Sequence, residues 1–317
     1  MIQKLPEKTL EKLRELEPKL QRASKYGQFA EADKLIREIQ KMFIHNRDHH
    51  RILQAKNWYY QAALEANHID DAISGFESIR IRANVNTRIY LEATVLLGVC
   101  YLRKKDIEAS KKYIKEAILF INNIQSDTRR NQFQKRIVDR IESESIVGFL
   151  SSNTNVKMDP DELHKGAVKL LQTKSDIEIF SEIGSSVPKT VLYQIEGIKD
   201  YSIKLLPPRD QKLLQPAKAL ESDVTFGKKI VETMKRISWR AICDPESQIY
   251  ILWSKQVSEV FNKGYFAVAL AVTCAQYSIG LPIIATGVVA IIMKYSAVEF
   301  CERFRPNDIM IARDDKG

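Results

Sequence analysis

Through the first 150 residues, apolar side chains recur every three to four positions, with few glycines or prolines between them. That spacing predicts amphipathic helices throughout. Three stretches share one arrangement. In LQRASKYGQFAEADKLIREI (20–39) the marked positions are Ala23, Gly27, Ala32 and Ile36. In YQAALEANHIDDAISGFESI (60–79) they are Ala63, Asn67, Ala72 and Phe76. In LLGVCYLRKKDIEASKKYIKEA (96–117) they are Gly98, Tyr101, Asp106, Ala109, Tyr113 and Ala117. Each reads as a helix, a short polar turn and a second helix carrying a small residue in its first turns. A small residue there lets two antiparallel helices approach closely.

Residues 128–148 predict a closing helix with Phe133, Ile137 and Ile141 on one stripe and Arg129, Arg130, Lys135 and Arg140 elsewhere, as the end of a stacked array requires. A polar stretch, SSNTNVKMDPDEL (151–163), then marks a boundary, giving domains 1–150 and 159–317. Asp159-Pro160-Asp161-Glu162 reads as a helix start, and Ser175-Asp176-Ile177-Glu178 as a capping box. Breaks are expected at Gly184–Pro188, Pro207-Pro208 and Pro216, with helices at about 222–241, 246–279 and 282–304. No alternating strand pattern appears, so the class is all-α.

Residues 265–293 carry no charge in a chain that is 28% charged. Gly280 and Pro282 divide this stretch into two arms within a hairpin spanning 265–304. Each arm is shorter than the roughly 20 residues a bilayer crossing needs. Ala267, Ala271 and Ala275 form a ridge of small side chains along the first arm, and Gly287 lies in the second. Such a ridge admits a close helix neighbour in a membrane or in a protein core. Burial in a domain core and entry into lipid are both readings of this hairpin. Basic residues on both sides favour an in-and-out path if lipid is involved.

The three helix pairs resemble the tetratricopeptide repeat over roughly residues 10–120. Spacings of 40 (Ala32 to Ala72) and 37 (Ala72 to Ala109) depart from the family's 34, and Leu20 and Tyr60 replace its first-helix Gly. The resemblance implies a concave groove lined by the first helix of each pair. Its groove-facing positions correspond to Arg14, Glu17, Gln21 and Lys25, to Gln54, Asn57, Gln61 and Glu65, and to Glu92, Val99 and Arg103. A row of amides there, Gln21, Gln54, Asn57 and Gln61, would suit hydrogen bonding to an extended peptide backbone.

The net charge of +9 falls mainly within residues 1–150, in clusters at 103–105, 111–115 and 128–140. Nucleic acid or anionic lipid could be met there, although interleaved acids make a solvated helix face the plainer account. Cys100, Cys243, Cys274 and Cys301 are far apart and form no CxxC, which suits reduced core thiols in a cytoplasmic protein. No secretory leader is visible. His45 and His49 are one turn apart with Asp48 between them, but lack a third metal ligand. Gly227-Lys228-Lys229 lacks the rest of a phosphate loop. No catalytic residue, metal site or cofactor is expected.

The expectation is a non-enzymatic adaptor or effector: the repeats bind a protein or peptide partner, and the C-terminal hairpin domain mediates assembly into a homo-oligomer. One alternative is a membrane-associated effector at the inner face of a membrane. Its sensor-plus-effector layout resembles that of bacterial conflict systems, by analogy of architecture. A second alternative is nucleic-acid binding through the basic 103–140 face.

Overall fold

The computed structural model describes residues 5–152, 157–214, 222–255, 264–306 and 309–310. Among them the chain is all-α, with no strand and one isolated antiparallel bridge between Ser151 and Ile279. The first six helices are α1 (Glu7–Tyr26), α2 (Phe29–Met42), α3 (His50–Glu65), α4 (Ile69–Arg82), α5 (Arg88–Arg103) and α6 (Ile107–Leu119). There follow α7 (Asp127–Leu150), α8 (Pro160–Thr173), α9 (Asp176–Ser185), α10 (Lys189–Lys204) and α11 (Pro208–Leu214). The last five are α12 (Asp223–Cys243), α13 (Gln248–Ser254), α14 (Gly264–Gln276), α15 (Pro282–Ile292) and α16 (Ala297–Arg303).

The chain forms two compact units. One comprises 1–141, 198–215 and 307–317, and the other 142–197 and 216–306. In the first, α2 packs on α1 and α3, α4 on α3 and α5, and α6 on α5, while α1, α3 and α5 lie side by side. This is a repeat-like stack in which each hairpin buries its apolar face against the next.

The three hairpins turn by one device. Gly27, Asn67 and Lys105 each adopt a left-handed backbone, with φ of 65°, 68° and 62°. The following N–H then reaches back five residues: Gln28 to Ala23 O, His68 to Ala63 O and Asp106 to Tyr101 O, at 2.8–2.9 Å. These bonds satisfy carbonyls that a helix end leaves open. Five residues past each corner stand Ala32, Ala72 and Ser110, all fully buried. The small residue of the third pair is therefore Ser110, not the half-buried Ala109 expected from the sequence. Its hydroxyl donates to Gly98 O at 2.9 Å, which ties the two helices together. The Gly27 corner favours glycine on two grounds. Its φ is positive, and a Cβ there would stand 2.9 Å from Glu65 Cβ.

Phe133, Ile137 and Ile141 of α7 are buried, as the stripe requires, but so is Arg140. Val138 joins Ile203 and Leu206 in a small apolar cluster that also gathers Ile118 and Leu214. Gln134 donates to Asp210 Oδ2 at 3.1 Å.

In the second unit, α12 packs against α9, α13, α14, α15 and α16, while α8 packs against both α14 and α15. Asp159 caps α8 by accepting from the Asp161 N–H, and Pro160 opens the helix. Ser175 and Glu178 form a reciprocal capping box on α9. α10 ends before Pro207 and α11 starts at Pro208, whereas Pro216 lies outside the described residues.

The uncharged stretch does divide between Gln276 and Pro282, so the hairpin forms. Its second arm differs from the expected continuous helix over 282–304. Ser296 accepts from the Glu299 N–H at 3.1 Å and starts a new helix, so α15 and α16 meet at a 99° bend. No single helix among the described residues is long and apolar enough to cross a membrane. Cys243 and Cys301 form a disulfide that joins the end of α12 to α16, which corrects the expectation of four reduced thiols. Cys100 and Cys274 are buried and take no part in the disulfide.

Candidate functional site

α1, α3 and α5 bring most of the expected groove residues to one inner face, but that face is closed. Gln54, Asn57, Gln61, Glu92 and Val99 are each no more than 2% exposed. Glu17 and Arg103 are also buried, whereas Gln21, Lys25 and Glu65 are half-buried and Arg14 is exposed. The amide row thus lies inside the unit rather than along an open channel. The reason is that distant segments supply partners for it.

Arg51 at the start of α3 holds Glu17 of α1 with both arms of its guanidinium, at 2.9 and 2.7 Å. Gln54 donates to Glu92 Oε2 at 3.1 Å, and Asn57 donates to Ile89 O at 3.0 Å, so α3 is stitched to α5. Glu92 is fully buried, and the Arg88 guanidinium lies 3.5 Å from it one turn earlier. A buried carboxylate is tolerated only with such partners. Glu65 pairs with Arg140 of α7 at 2.5 Å, and Arg103 donates to Leu64 O at the same distance. Arg14 pairs with Glu7 at the surface, and the Lys25 ammonium lies over the Tyr26 ring.

A densely connected side chain of this unit is one that no sequence pattern marks out. Arg80 at the end of α4 donates to Thr94 Oγ1 and Tyr90 Oη at 3.0 Å each, and to Glu116 Oε1 at 2.6 Å. Its guanidinium also lies over the Tyr113 ring, 4.8 Å from the centroid. Burial pulls its pKa down, but the bonds to Tyr90 and Glu116 outweigh that and raise it. Arg80 thereby joins α4, α5 and α6. A basic residue in a last helical turn was the only local signal, and it is too common to be diagnostic.

The basic clusters are largely engaged within the unit. Lys104 pairs with Asp70, Lys111 with Glu108, Arg130 with Asp127 and Arg140 with Glu65. His49 caps α3 through Nδ1, which accepts from the Arg51 N–H, and its ring stacks on His50. Among the described residues, no three His, Cys, Asp or Glu side chains gather where they could hold a metal ion.

On the hairpin, Ala267 and Ala271 are buried and Ala275 is exposed. Val268 and Val272, also one turn apart, face outward at 38% and 51% exposure. Gly280 is half-buried and Pro282 opens α15 at the surface. Gly287 packs against Ile183, where a Cβ would stand 2.7 Å from its terminal methyl. Most of α15 is buried against α8, α9, α12 and α14.

Comparison of the chain with family models, with curated proteins and with solved structures gave no match.

Proposed function

We propose that this chain is a non-enzymatic adaptor or effector whose N-terminal hairpins, tetratricopeptide-like in kind, bind a protein partner and whose C-terminal unit mediates assembly. The observation that carries the reading is the set of three hairpins turned by Gly27, Asn67 and Lys105. Stacked helical hairpins present extended surfaces built from equivalent positions, the usual basis of protein recognition in solenoids.

For assembly, the support shifts from the alanine ridge to its neighbours. Ala267 and Ala271 are spent on packing inside the unit, whereas Val268 and Val272 leave an apolar row on the outer side of α14. Apolar side chains adjacent on an exposed helix face favour association. The nucleic-acid alternative loses ground because four of the basic side chains there already pair with acids. The lipid alternative loses ground because α15 is covered by protein. A disulfide also weighs against the reducing cytoplasm.

Two measurements test the reading. Photo-crosslinkers placed on α1 at exposed Arg14 and half-buried Gln21, in the native host, should give a discrete adduct. Light scattering over a concentration series should show an oligomer that Val268→Ser/Val272→Ser dissociates. A chain that yields no adduct and stays monomeric throughout is not such an adaptor.

A further inference from the structure

Ile309 and Met310 follow the last helix in a polar context, RPNDIMIARDDKG, yet they are only 2% and 1% exposed. They belong to the first unit, although every other described residue after Leu214 belongs to the second. Within that unit Met310 meets the inner face of the repeats. Its sulfur lies 3.5 Å from Gln54 Nε2, the same nitrogen that donates to Glu92. One turn further along α3, Asn57 is fully buried. Its Nδ2 donates to Ile89 O, and its Oδ1 has no hydrogen-bond partner among the described residues.

These contacts are not those of an optimised core. A thioether is a weak acceptor, so a peptide carbonyl in its place would hold Gln54 better. A buried orphan oxygen is costly, and an incoming N–H would relieve it. Amides on a helix face, offered at intervals of a turn, match the alternating donors and acceptors of an extended backbone. Two adjacent large side chains match Ile309 and Met310.

We infer that the inner face around Gln54 and Asn57 is a binding site for an extended protein segment bearing two adjacent large apolar residues, and that Ile309–Met310 fills it as a displaceable internal occupant. This rests on the adaptor reading and gives its partner a chemistry. The partner's segment takes the place of Ile309 and Met310, bringing a carbonyl to Gln54 and an N–H to Asn57. The repeats are then self-occupied until a better-matched segment competes, and the tail released by that exchange reports that the site is filled.

The test uses the full chain and a fluorescent peptide of residues 304–314, FRPNDIMIARD. Ile309→Asp/Met310→Asp in the full chain should bind the peptide at least tenfold more tightly than the unsubstituted chain, and adding Gln54→Leu should remove the gain. Equal affinities overturn the proposal, as does no binding by a variant whose melting and circular dichroism are unchanged. A second measurement avoids substitution at the buried pair. In the unsubstituted chain carrying 13C-methyl methionine, millimolar peptide should move the Met310 signal to its position in the free peptide. A static Met310 signal overturns the proposal. If it stays static while crosslinking at Arg14 or Gln21 still captures a partner, the tail is not the competitor and the adaptor reading stands alone.

Discussion

Gly184 and Gly227 meet backbone to backbone where α9 crosses α12. A Cβ on Gly227 would stand 1.8 Å from Phe180 O and 3.1 Å from Gly184 N, and one on Gly184 would stand 2.0 Å from Asp223 O. Rotamer changes cannot relieve a clash with backbone, so the helices themselves would have to separate. Gly227→Ala and Gly184→Ala should each destabilise the chain by about 2–3 kcal/mol in urea unfolding. Gly197, in α10 with nothing within 4 Å of a Cβ, is the control. Gly197→Ala should stabilise by roughly 0.5–1 kcal/mol. A neutral Gly227→Ala would mean that the crossing is looser than described.

Arg80 holds α4, α5 and α6 together through Thr94, Tyr90 and Glu116. Arg80→Ala should cost about 2 kcal/mol, because bonds to a charged group are lost and Glu116 keeps a partly shielded charge. Arg80→Lys should recover less than half of that loss, since an ammonium lacks the planar fork that reaches several acceptors at once. Equal stability of the lysine variant and the unsubstituted chain in denaturant titrations would show that charge alone suffices.

Alkaline pH should loosen the fold in a defined window. Burial, then the nearby Asp33 carboxylate, pushes the Tyr59 phenol up to about 12, and burial, then Glu77, does the same to Tyr101. Burial alone pushes the Cys274 thiol up to about 12. Each group is held in its neutral form by the fold. Its contribution is therefore intact below the ordinary values of 9 to 10 and is lost as pH climbs towards 12. Melting temperature should stay flat to about pH 9 and then fall. Tyr59→Phe/Tyr101→Phe should flatten part of that fall, and an identical profile would refute these two tyrosines as its source.

Thiol chemistry checks the cysteines independently. Ellman's reagent should find no reactive thiol in the native chain, two after denaturation (Cys100 and Cys274), and four once the Cys243–Cys301 bond is reduced. Closing a loop with a sequence separation of 58 limits the unfolded chain, so Cys243→Ser/Cys301→Ser should lose about 4 kcal/mol in the chain-entropy account. Four thiols after denaturation without reductant would show that the pair is not joined.

The helix pairs and their corners were legible because their determinants are local: spacing, a turn residue and a small side chain within about ten positions. Even there, Ala109 and Ser110 were exchanged, since both are small and only the pairing with Gly98 tells them apart. The break between α15 and α16 is encoded by Ser296-Ala297-Val298-Glu299, a helix-start pattern masked by the mainly apolar run around it. The closed state of the inner face was not legible. Gln54 and Met310 are 256 positions apart, and no periodicity predicts which remote residue covers an amide. The Cys243–Cys301 pairing is likewise a tertiary fact, invisible in spacing alone.

Every residue of α5 from Ile89 to Cys100 is buried. α3, α4 and α6 all pack on this helix, so it offers no side where a larger residue could turn outward. Enlarging a small side chain such as Ala93 or Gly98 would have to push a neighbouring helix away. The third hairpin is thus the part of the array least able to absorb change.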